Sequence, residues 1–598
     1  MYINNMRELL EIAASQLPDN VALTFIEPEY QLSENITYKV LVSRVKTVAA
    51  QLQQRVRQGD RVLLLYPPGI DFIIGFFACM YSGVIAVPCF PPLNFFLAER
   101  IRLISIDAMP ACILTNSFIA KKIKLLKLAD FVDKPGLKKL TNAILPSSVK
   151  GILEAKLTYF LKLPLIITDD NEANEFTEKD YHEINIKENA ISFLQYTSGT
   201  TSQPKGVIVT HDNLLANITT ITRKFALTAD EIISIWLPPY HDMGLIGGIL
   251  TPIHVHCAVY LMSPTSFLKN PFHWVKIMSD LSATASVAPN FAYDLVVERI
   301  SEEEAGQLNL KNWHKALNGA EPIRKKTLDK FSQYFSSAGF KINAFLPCYG
   351  LAEATLLVSS ASPNNPYNIR YVDTESFNNN KIVFVDECHS AKPLVSSGVP
   401  DKSFKLLIVD PETKQTCPEN VVGEIWLQGK SVTPGYWNNH KYTSETYHAY
   451  LENGEGPFLR TGDMGFINET HLYVTGRLKD LVIIHGKNYY PHDIELTIES
   501  NSNIVRTGRS AVFSINLSEE EVIIAIVEMK VKLDDNKAKQ KMSLIKTAVM
   551  REHGIPIYEI IIVPPKTLYK TTSGKIQRNK MKELYLTNKL SILFKLRN

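Results

Sequence analysis

Short runs of β-forming residues recur between residues 61 and 289, and helix-length segments separate most of them. Strands joined through helices favour parallel βαβ units, because parallel neighbours need a long crossover connection. We therefore predict an α/β fold with a large N-terminal domain of layered βαβ sheets. The eight runs are RVLLLY (61–66), VIAVPCF (84–90), ACILT (111–115), AISFLQYT (190–197), GVIVTH (206–211), ISIWLP (233–238), AVYLM (258–262) and ATASVAP (283–289).

The pattern changes in the last third of the chain. Short strands with turns (FKLLIVD, GEIWLQG, HLYVTGR) follow residue 403, which predicts a small β-rich subdomain at about 396–478. Beyond Arg477, two long apolar runs, a lysine-rich helical stretch and EIIIVP indicate a compact α+β unit. We predict an N-terminal domain at 1–478 and a small, mobile α+β C-terminal domain at 479–598.

Composition excludes several classes of function. At 598 residues the chain is too long for a small binding module, and 64 Lys and Arg against 61 Asp and Glu leave only +3 of formal charge. Such a balance gives no reason to expect a nucleic-acid partner. The seven cysteines are scattered and contain no C-x-x-C, which argues against a disulfide framework or a zinc site. Because residues 1–17 do not resemble a secretory signal, we expect a cytoplasmic protein.

One stretch, Phe72 to Ala98, carries no charge and invites comparison with a membrane span. It contains Gly75, Gly83 and Pro88, and two further prolines follow, so a spanning helix would leave backbone groups unpaired in lipid. The favoured interpretation is a buried helix that leads into a buried strand, without insertion into a membrane. A membrane span remains the less favoured alternative.

A second unusual stretch is basic. Ten lysines lie between Ser117 and Pro164 against Asp130, Asp133 and Glu154, and they are threaded through leucines and isoleucines. A solvated pair of amphipathic helices explains this pattern, and so does a surface that docks an acidic protein or a lipid layer. The sequence favours the first interpretation and leaves the second open.

The segment of greatest chemical interest is YTSGTTSQPKG (196–206), which lies between two of the strand-like runs. It offers five hydroxyl side chains, two glycines and Lys205, so its backbone N–H groups, hydroxyls and single cation could wrap a polyphosphate. It is not the G-x-x-x-x-G-K-[ST] loop, because neither Ser nor Thr follows Lys205. An ordinary turn between strands has no need of so many hydroxyls.

This segment resembles the phosphate loop of the adenylate-forming superfamily, which includes acyl-CoA ligases, luciferase and adenylation domains. Six further motifs follow in the family's order. Among superfamily members, this chain most resembles the fatty acyl-AMP ligases. The motifs are WLPPYHDMG (236–244), NGAEPI (318–323), YGLAEAT (349–355), TGDMG (461–465), GRLKDLVIIHGKNYYPHDIE (476–495) and TTSGKIQR (571–578).

The resemblance implies ATP and Mg²⁺ as cofactors and assigns a role to each matching residue. Thr197, Ser198, Gly199, Thr200, Thr201 and Lys205 would surround the phosphates, and Glu353 with Thr201 would hold the metal. Asn318, Gly319, Ala320, Glu321, Tyr349 and Gly350 would bind adenine, and Asp463 with Arg477 would bind the ribose. Lys575 would be the catalytic lysine, since its ammonium could bridge the α-phosphate and the attacking carboxylate.

His241 bears on the substrate. Amino-acid-activating relatives usually carry an aspartate here that pairs with the substrate ammonium, and an imidazole offers no fixed negative charge. We therefore expect a carboxylic acid without an α-amino group. Gly244, Gly247 and Gly248 suggest room for an apolar channel that would take an alkyl tail. Trp274, Phe291 and Tyr293 are candidates for its wall, although core aromatics are the commoner case.

The resemblance implies that the carboxylic acid attacks ATP to give an acyl-adenylate and pyrophosphate. It also implies what happens to that acyl-adenylate. Coenzyme A ligases rotate the C-terminal domain after adenylation, and the hinge would be Lys479 or Asp480. The fatty acyl-AMP ligases carry an inserted segment thought to restrain that rotation, and here it would span about 361–395, with KIVFVD predicted as a strand. The resemblance implies a fatty acid as substrate and an acyl carrier protein, acting in trans, as acceptor. A long-chain acyl-CoA ligase and a silent ATP- or lipid-sensing module are the alternatives.

Overall fold

The computed structural model describes residues 3–27, 32–93, 95–132, 160–169, 175–197, 204–388, 391–484, 487–502, 504–517, 520–530, 534–571 and 574–597. Its strands are β1 (Val21–Ile26), β2 (Leu32–Thr37), β3 (Arg61–Leu65), β4 (Ile85–Cys89), β5 (Cys112–Thr115), β6 (Leu165–Ile167), β7 (Ile191–Thr197), β8 (Lys205–Thr210), β9 (Ile232–Ile235), β10 (Ala258–Met262), β11 (Ala285–Ala288), β12 (Lys315–Asn318), β13 (Phe345–Gly350), β14 (Leu357–Ser360), β15 (Ile369–Asp373), β16 (Ala391–Val395), β17 (Val399–Pro400), β18 (Phe404–Val409), β19 (Gly423–Gly429), β20 (Leu459–Asn468), β21 (His471–Arg477), β22 (Val482–Ile484), β23 (Lys487–Tyr489), β24 (Val505–Leu517), β25 (Glu520–Met529), β26 (Ile557–Val563) and β27 (Phe594–Arg597).

Its α-helices are α1 (Met6–Gln16), α2 (Tyr38–Arg55), α3 (Ile70–Ser82), α4 (Phe95–Ala108), α5 (Ser117–Val132), α6 (His211–Lys224), α7 (Thr251–Val255), α8 (Pro264–Lys269), α9 (Phe272–Asp280), α10 (Asn290–Arg299), α11 (Glu302–Gly306), α12 (Lys325–Tyr334), α13 (Thr374–Asn378), α14 (His440–Tyr447), α15 (Pro491–Ser500), α16 (Asp535–His553) and α17 (Arg578–Leu586). Residues Met243–Leu250 wind as a π-helix.

Two large sheets organise the N-terminal part of the chain. One has the order β17-β14-β13-β12-β11-β9-β10-β1-β2 and the other the order β6-β5-β3-β4-β7-β8. Their central neighbours are parallel, as the helix-separated runs predict. The predicted α/β class is confirmed, and each of the eight runs contains a strand.

The pair β7 and β8 departs from the βαβ pattern because it is antiparallel. The connection between Thr197 and Lys205 is too short for a crossover, so β7 and β8 pair as a hairpin at the edge of their sheet. Thr197 and Lys205 thus lie opposite each other at the paired ends of β7 and β8.

The uncharged stretch forms a buried helix and a buried strand, as its glycines and prolines indicate. Helix α3 is buried almost throughout, and Gly83 ends it in a left-handed conformation (φ 64°). Strand β4 follows with all five residues buried. Among the described residues, no helix combines the length and apolar character needed to cross a membrane.

Separate apolar clusters occupy the two ends of the chain. The two clusters formed by residues after 481 contain no buried residue from the preceding chain. A smaller cluster joins the β-rich region to the start of this C-terminal unit, because Tyr490 packs there with Phe377 and Val372. The antiparallel sheet β18-β19-β20-β21 lies in the region where the sequence predicts a β-rich subdomain.

The predicted inserted segment is folded, but its strands are not where the alternation of KIVFVD places one. The segment instead forms the antiparallel pair β15 and β16 with the short helix α13 between them. Residues 381–386 make only isolated bridges, and Val383 remains 47% exposed. The prediction of a strand there is wrong, because Lys381 and Phe384 each pair with a neighbour at one position only and no continuous ladder forms.

Candidate active site

The hairpin between β7 and β8 supplies one wall of the candidate site. Thr197 pairs with Lys205 across its base, and Lys205 Nζ lies 3.5 Å from the centre of the Tyr442 ring and 5.1 Å from that of Tyr436. Partial burial and the nearby Lys479 lower the pKa of Lys205, although Glu353 opposes this effect. Ser198, Gly199, Thr200 and Thr201 lie outside the described residues.

Glu353 is held rigidly beside this wall. It sits on a 3₁₀ turn, Ala352–Ala354, and its carbonyl oxygen accepts hydrogen bonds from Thr433 N (2.9 Å) and Oγ1 (3.1 Å). Its Oε1 accepts a hydrogen bond of 2.8 Å from the Tyr436 hydroxyl. Sequence reasoning missed Tyr436, since this contact joins positions 83 residues apart and no motif spacing reports it.

The predicted adenine-binding residues come together because parallel strands β12 and β13 end at the same edge. Asn318 ends β12, and the side chain of Tyr349 lies near the end of β13. Gly319 is needed here, since an added Cβ would lie 2.8 Å from Cys348 Sγ. Ala320 has a left-handed backbone (φ 73°), a strained conformation of the kind found at binding sites.

Two further positions shape the same edge. At Gly350 an added Cβ would lie 1.7 Å from the Leu356 carbonyl oxygen, so only glycine permits the turn that presents Glu353. Glu321 lies 3.8 Å from the Arg324 guanidinium. It is also within electrostatic range of Lys570 and Lys575, so it lies on the side of the site that the C-terminal unit approaches.

The predicted ribose site is built by cross-strand pairing. Asp463 on β20 lies opposite Arg477 on β21, and Arg477 Nε donates a hydrogen bond of 3.1 Å to Asp463 Oδ1. The Tyr349 hydroxyl donates to Asp463 Oδ2 at 2.9 Å. The carboxylate is therefore buried and oriented before a ligand arrives, and its charge raises the pKa of Arg477.

His241 and Asp242 lie at the entrance to the π-helix. Burial, together with the charges of Arg100 and Lys575, lowers the pKa of His241 to about 3, so its imidazole is neutral near pH 7. Burial raises the pKa of Asp242, although Lys575 opposes this effect. A π-helix is uncommon and is often associated with functional sites, which agrees with its position here.

Two of the three glycines, Gly244 and Gly248, do not leave the room that the sequence suggests, whereas Gly247 has only an ordinary contact with Leu356. An added Cβ on Gly244 would lie 2.2 Å from the Pro238 carbonyl oxygen, and one on Gly248 would lie 3.0 Å from Ile235, so these glycines permit close packing. A narrow pocket instead opens beside His241 and is lined largely by α4 and the end of β4. Its walls include Cys89, Phe90, Leu97, Arg100, Ile101 and Ile104.

Of the aromatic candidates for a channel wall, two belong to the core. Trp274 and Tyr293 are fully buried among other rings, including Trp313. Phe291 differs, because its ring lies 3.0 Å from where a Cβ on Gly574 would stand. It therefore packs against the loop that carries Lys575.

Lys575 enters the site from the C-terminal unit. The loop is a narrow turn closed by the Thr571 N to Lys575 O hydrogen bond (2.7 Å). Partial enclosure of its ammonium and the charge of Arg477 lower the pKa of Lys575, whereas Asp463, Glu321 and Asp242 oppose this effect. The structure thus brings residues more than 300 positions apart into one electrostatic cluster.

The predicted hinge residues lie on a 3₁₀ turn, Leu478–Asp480, directly after Arg477. Asp480 Oδ2 accepts a hydrogen bond of 2.9 Å from Arg578 Nη1, and Arg578 also forms two hydrogen bonds with Glu495. Lys479 is exposed and lies within electrostatic range of Lys205.

This arrangement suits a polyanion with a nucleoside at one end. Lys205, Arg477 and Lys575 supply positive charge, and Asp463 offers an acceptor for hydroxyl groups. Among the described residues, no cluster of His, Cys, Asp and Glu is large enough to hold a metal by itself. A single carboxylate such as Glu353 suits Mg²⁺, which is usually bound by one or two carboxylates together with substrate phosphates.

Comparison with known families covers both parts of the chain. A model described as an AMP-binding enzyme matches residues 10–437. A second, described as the AMP domain of Disco-interacting protein 2-like proteins, matches residues 479–595.

Individual relatives match over almost the full length. A medium-chain-fatty-acid acyl-carrier-protein ligase, JamA, of Moorena producens (strain JHB) is 35% identical over 98% of this chain and 95% of its own. A putative fatty-acid–CoA ligase of Mycobacterium leprae (strain TN) is 34% identical over 99% of this chain and 100% of its own. The crystal structure of a fatty acid AMP ligase from Legionella pneumophila is 38% identical, with a TM-score of 0.73 over 100% of this chain and 98% of its own. The chain therefore belongs to the adenylate-forming, AMP-binding enzymes and, within them, to the fatty acyl-AMP ligases.

Proposed function

We propose that this protein activates a fatty acid with ATP and passes the acyl group to the phosphopantetheine arm of an acyl carrier protein. The carboxylate attacks the α-phosphorus of ATP, pyrophosphate leaves, and the thiol of the carrier then displaces AMP from the acyl-adenylate. The observation that carries the proposal is the position of Lys575, whose ammonium lies within electrostatic range of Asp463 and Asp242.

The proposed roles follow from the geometry of the site. Asp463 accepts hydrogen bonds from the ribose hydroxyls, with its carboxylate fixed by Tyr349 and Arg477. Lys575 stabilises the charge that gathers between carboxylate and phosphate, where a preorganised cation is most effective. Glu353 would hold Mg²⁺, with Thr201 as the second ligand, and the metal when bound supplies neutralisation of phosphate charge.

The substrate class is supported by the surroundings of His241. Its low pKa leaves a neutral imidazole, and the adjacent pocket carries a positive charge, Arg100, and several apolar residues. The positive charge of Arg100 would repel an α-ammonium group there, whereas the apolar walls suit an uncharged aliphatic group. Burial of such a chain contributes about 0.8 kcal/mol per methylene.

The choice of carrier over coenzyme A is supported by the inserted segment. Lys392 forms an ion pair with Asp493, Asn488 Nδ2 donates to Asn380 Oδ1 (2.9 Å), and Lys487 pairs with Glu375 (2.9 Å). The rings of Phe377 and Tyr490 pack with centroids 5.3 Å apart. These contacts join the segment to the C-terminal unit and oppose its rotation.

Two features of organisation belong to the same proposal. We place the division between the domains at 478 and 479, supported by the absence of earlier buried residues from the two clusters that follow residue 481. We also place the enzyme in the cytoplasm, supported by Cys79, Cys89, Cys112 and Cys257, which are buried thiols.

Product analysis with radiolabelled laurate and ATP tests the proposal. Addition of a carrier with its phosphopantetheine arm should yield acylated carrier, and addition of coenzyme A should yield little thioester. The same carrier without the arm is the matched control and should stay unlabelled. Abundant acyl-CoA would favour the long-chain acyl-CoA ligase instead, and ATP binding without release of pyrophosphate would favour a silent sensor.

A further inference from the structure

The outer face of helix α5 presents an unusual combination of side chains. Phe118 is 55% exposed and Leu125 is 43% exposed. They stand seven residues apart and so lie on one stripe of the helix, about 10 Å from each other. Lys121 and Lys122 occupy the same stripe between them, and Lys122 Nζ lies 4.3 Å from the centre of the Phe118 ring.

The opposite face of α5 explains why this stripe is fixed in place. Ile119, Ile123 and Leu126 are buried in the cluster that covers one side of the six-stranded sheet, and Ala120 is also buried. The same cluster contains Ile101 and Ile104 of α4, which line the pocket beside His241. The exposed stripe therefore belongs to the helical layer that walls the pocket.

The lysines of this stripe are not neutralised by the rest of the described chain. No salt bridge in that part of the molecule involves Lys121, Lys122 or Lys124. The described side chains of α5, from Ser117 to Lys127, include four lysines and no carboxylate. In the sequence, residues 128–159 add five lysines against Asp130, Asp133 and Glu154, so residues 117–159 carry nine lysines and three carboxylates.

We propose that this stripe, defined as Phe118, Lys121, Lys122, Lys124 and Leu125, docks the protein on an anionic lipid surface. An interfacial helix inserts its large apolar side chains at the boundary between headgroups and acyl chains, and its lysines reach the anionic headgroups. Flexible lysines can follow the mobile headgroups of a lipid surface, and isolated apolar side chains can insert between lipids. A single protein partner would instead need a continuous apolar patch, so these side chains suit a lipid surface better. The proposal does not depend on the reaction catalysed.

Flotation of the full chain with phospholipid vesicles tests the inference. The protein should bind vesicles of phosphatidylcholine mixed with phosphatidylglycerol and not those of phosphatidylcholine alone, and added salt should weaken binding. The triple variant Lys121→Gln, Lys122→Gln, Lys124→Gln should bind about 100-fold more weakly, at about fivefold per lysine. The matched control, Lys381→Gln, Lys402→Gln, Lys441→Gln, removes equal charge from other exposed positions and should bind like wild type.

A second variant, Phe118→Ser with Leu125→Ser, tests the apolar contribution. It should weaken binding by more than tenfold and leave pyrophosphate release in detergent-free solution unchanged, which shows that the fold is intact. Equal binding of wild type to both kinds of vesicle, or undiminished binding of the triple lysine variant, would overturn the inference. So would a triple variant that still binds vesicles but fails to acylate its carrier, because the stripe would then be a protein-docking surface.

Discussion

Lys575 illustrates how a single side chain can join two parts of a chain. Its loop packs against Phe291 through Gly574, and its ammonium faces Asp463 and Asp242. Because those carboxylates are already oriented by other contacts, the lysine meets a preorganised site. The chemical step should therefore depend on this amine far more than folding does.

We expect Lys575→Ala to slow acyl-adenylate formation by about 10²–10³, which corresponds to about 3–4 kcal/mol of transition-state stabilisation. ATP–pyrophosphate exchange measures the effect directly. Lys580→Ala is the control, because Lys580 lies on α17 and pairs with Glu583 on the surface. An exchange rate equal to that of wild type would remove Lys575 from the mechanism.

At the level of elements, the π-helix after His241 depends on how closely it approaches the preceding chain. Gly244 lies against the Pro238 carbonyl, whereas the nearest atom to an added Cβ on Gly247 is Leu356 Cδ2 at 3.5 Å. Two glycines on one helix thus differ sharply in their surroundings. The helix, in turn, sets the position of His241 and Asp242.

Gly244→Ala should therefore destabilise the protein by about 1–3 kcal/mol or more and displace His241, because backbone must move to admit the methyl group. Gly247→Ala should be neutral or slightly stabilising, since its contact is ordinary and alanine favours a helix. Thermal unfolding and pyrophosphate exchange on both variants provide the comparison. Equal melting temperatures for the two would contradict this account of the π-helix.

The inserted segment is a second element, and in the proposed function it restrains the C-terminal unit. Burial alone would raise the pKa of Asp493, yet Lys392 and His492 lower it to about 2, so the ion pair persists throughout the working range of pH. The pair connects β16 to the start of α15. Loss of this ion pair should allow the C-terminal unit to rotate more readily and should leave the nucleotide site unchanged.

We expect Lys392→Met to raise the ratio of acyl-CoA to acyl-adenylate by about tenfold or more, because it removes the ion pair that joins the segment to Asp493 and leaves only His492 beside that partly buried carboxylate. Adenylation itself should stay near the wild-type rate. Lys402→Met, at an exposed loop position, is the control. A product ratio unchanged by Lys392→Met would show that the restraint lies elsewhere.

On the scale of the whole molecule, buried histidines make the fold sensitive to acid. Burial lowers the pKa of His211 to about 4, and its Nδ1 accepts a hydrogen bond of 3.3 Å from Met6 N. Burial, with nearby cations, also lowers the pKa of His492 to about 4. Both are neutral in the folded protein and take up a proton on unfolding.

The free energy of unfolding should therefore fall as the pH drops below about 6.5, the ordinary pKa of histidine. The loss should be complete near pH 4, the pKa of His211 in the folded protein. For His211 the expected loss between pH 7 and pH 5 is about 1–2 kcal/mol. His211→Gln should unfold with a smaller pH dependence, and the exposed His448→Gln should behave like wild type. Denaturant unfolding at pH 7 and pH 5 measures the free energy of unfolding of each variant. A loss between these two pH values that is as large in His211→Gln as in wild type would contradict the prediction.

The sequence predicts much of this architecture because strands and motifs are local. Thr197, Asn318 and Tyr349 all fall at strand ends, where residues of different strands converge on one edge. Contacts set by tertiary packing are not local, so Tyr436 beside Glu353 and Arg100 beside His241 had no sequence signal. KIVFVD shows the converse, since despite its alternation it makes only single bridges, to Val372 of β15 and to Val421, and no continuous ladder.

The position of Arg578 has a consequence for the order of events in turnover. Its guanidinium donates hydrogen bonds to Asp480, a predicted hinge residue, and to Glu495 on α15. Arg578 follows Lys575, the proposed catalytic lysine, by only three residues. If the C-terminal unit turns at the hinge that we propose, the bond from Arg578 to Asp480 would break and Lys575 would leave the site with it. In the proposed mechanism, release of the hinge and withdrawal of Lys575 would therefore be a single event, which would end adenylation at the moment that acyl transfer becomes possible.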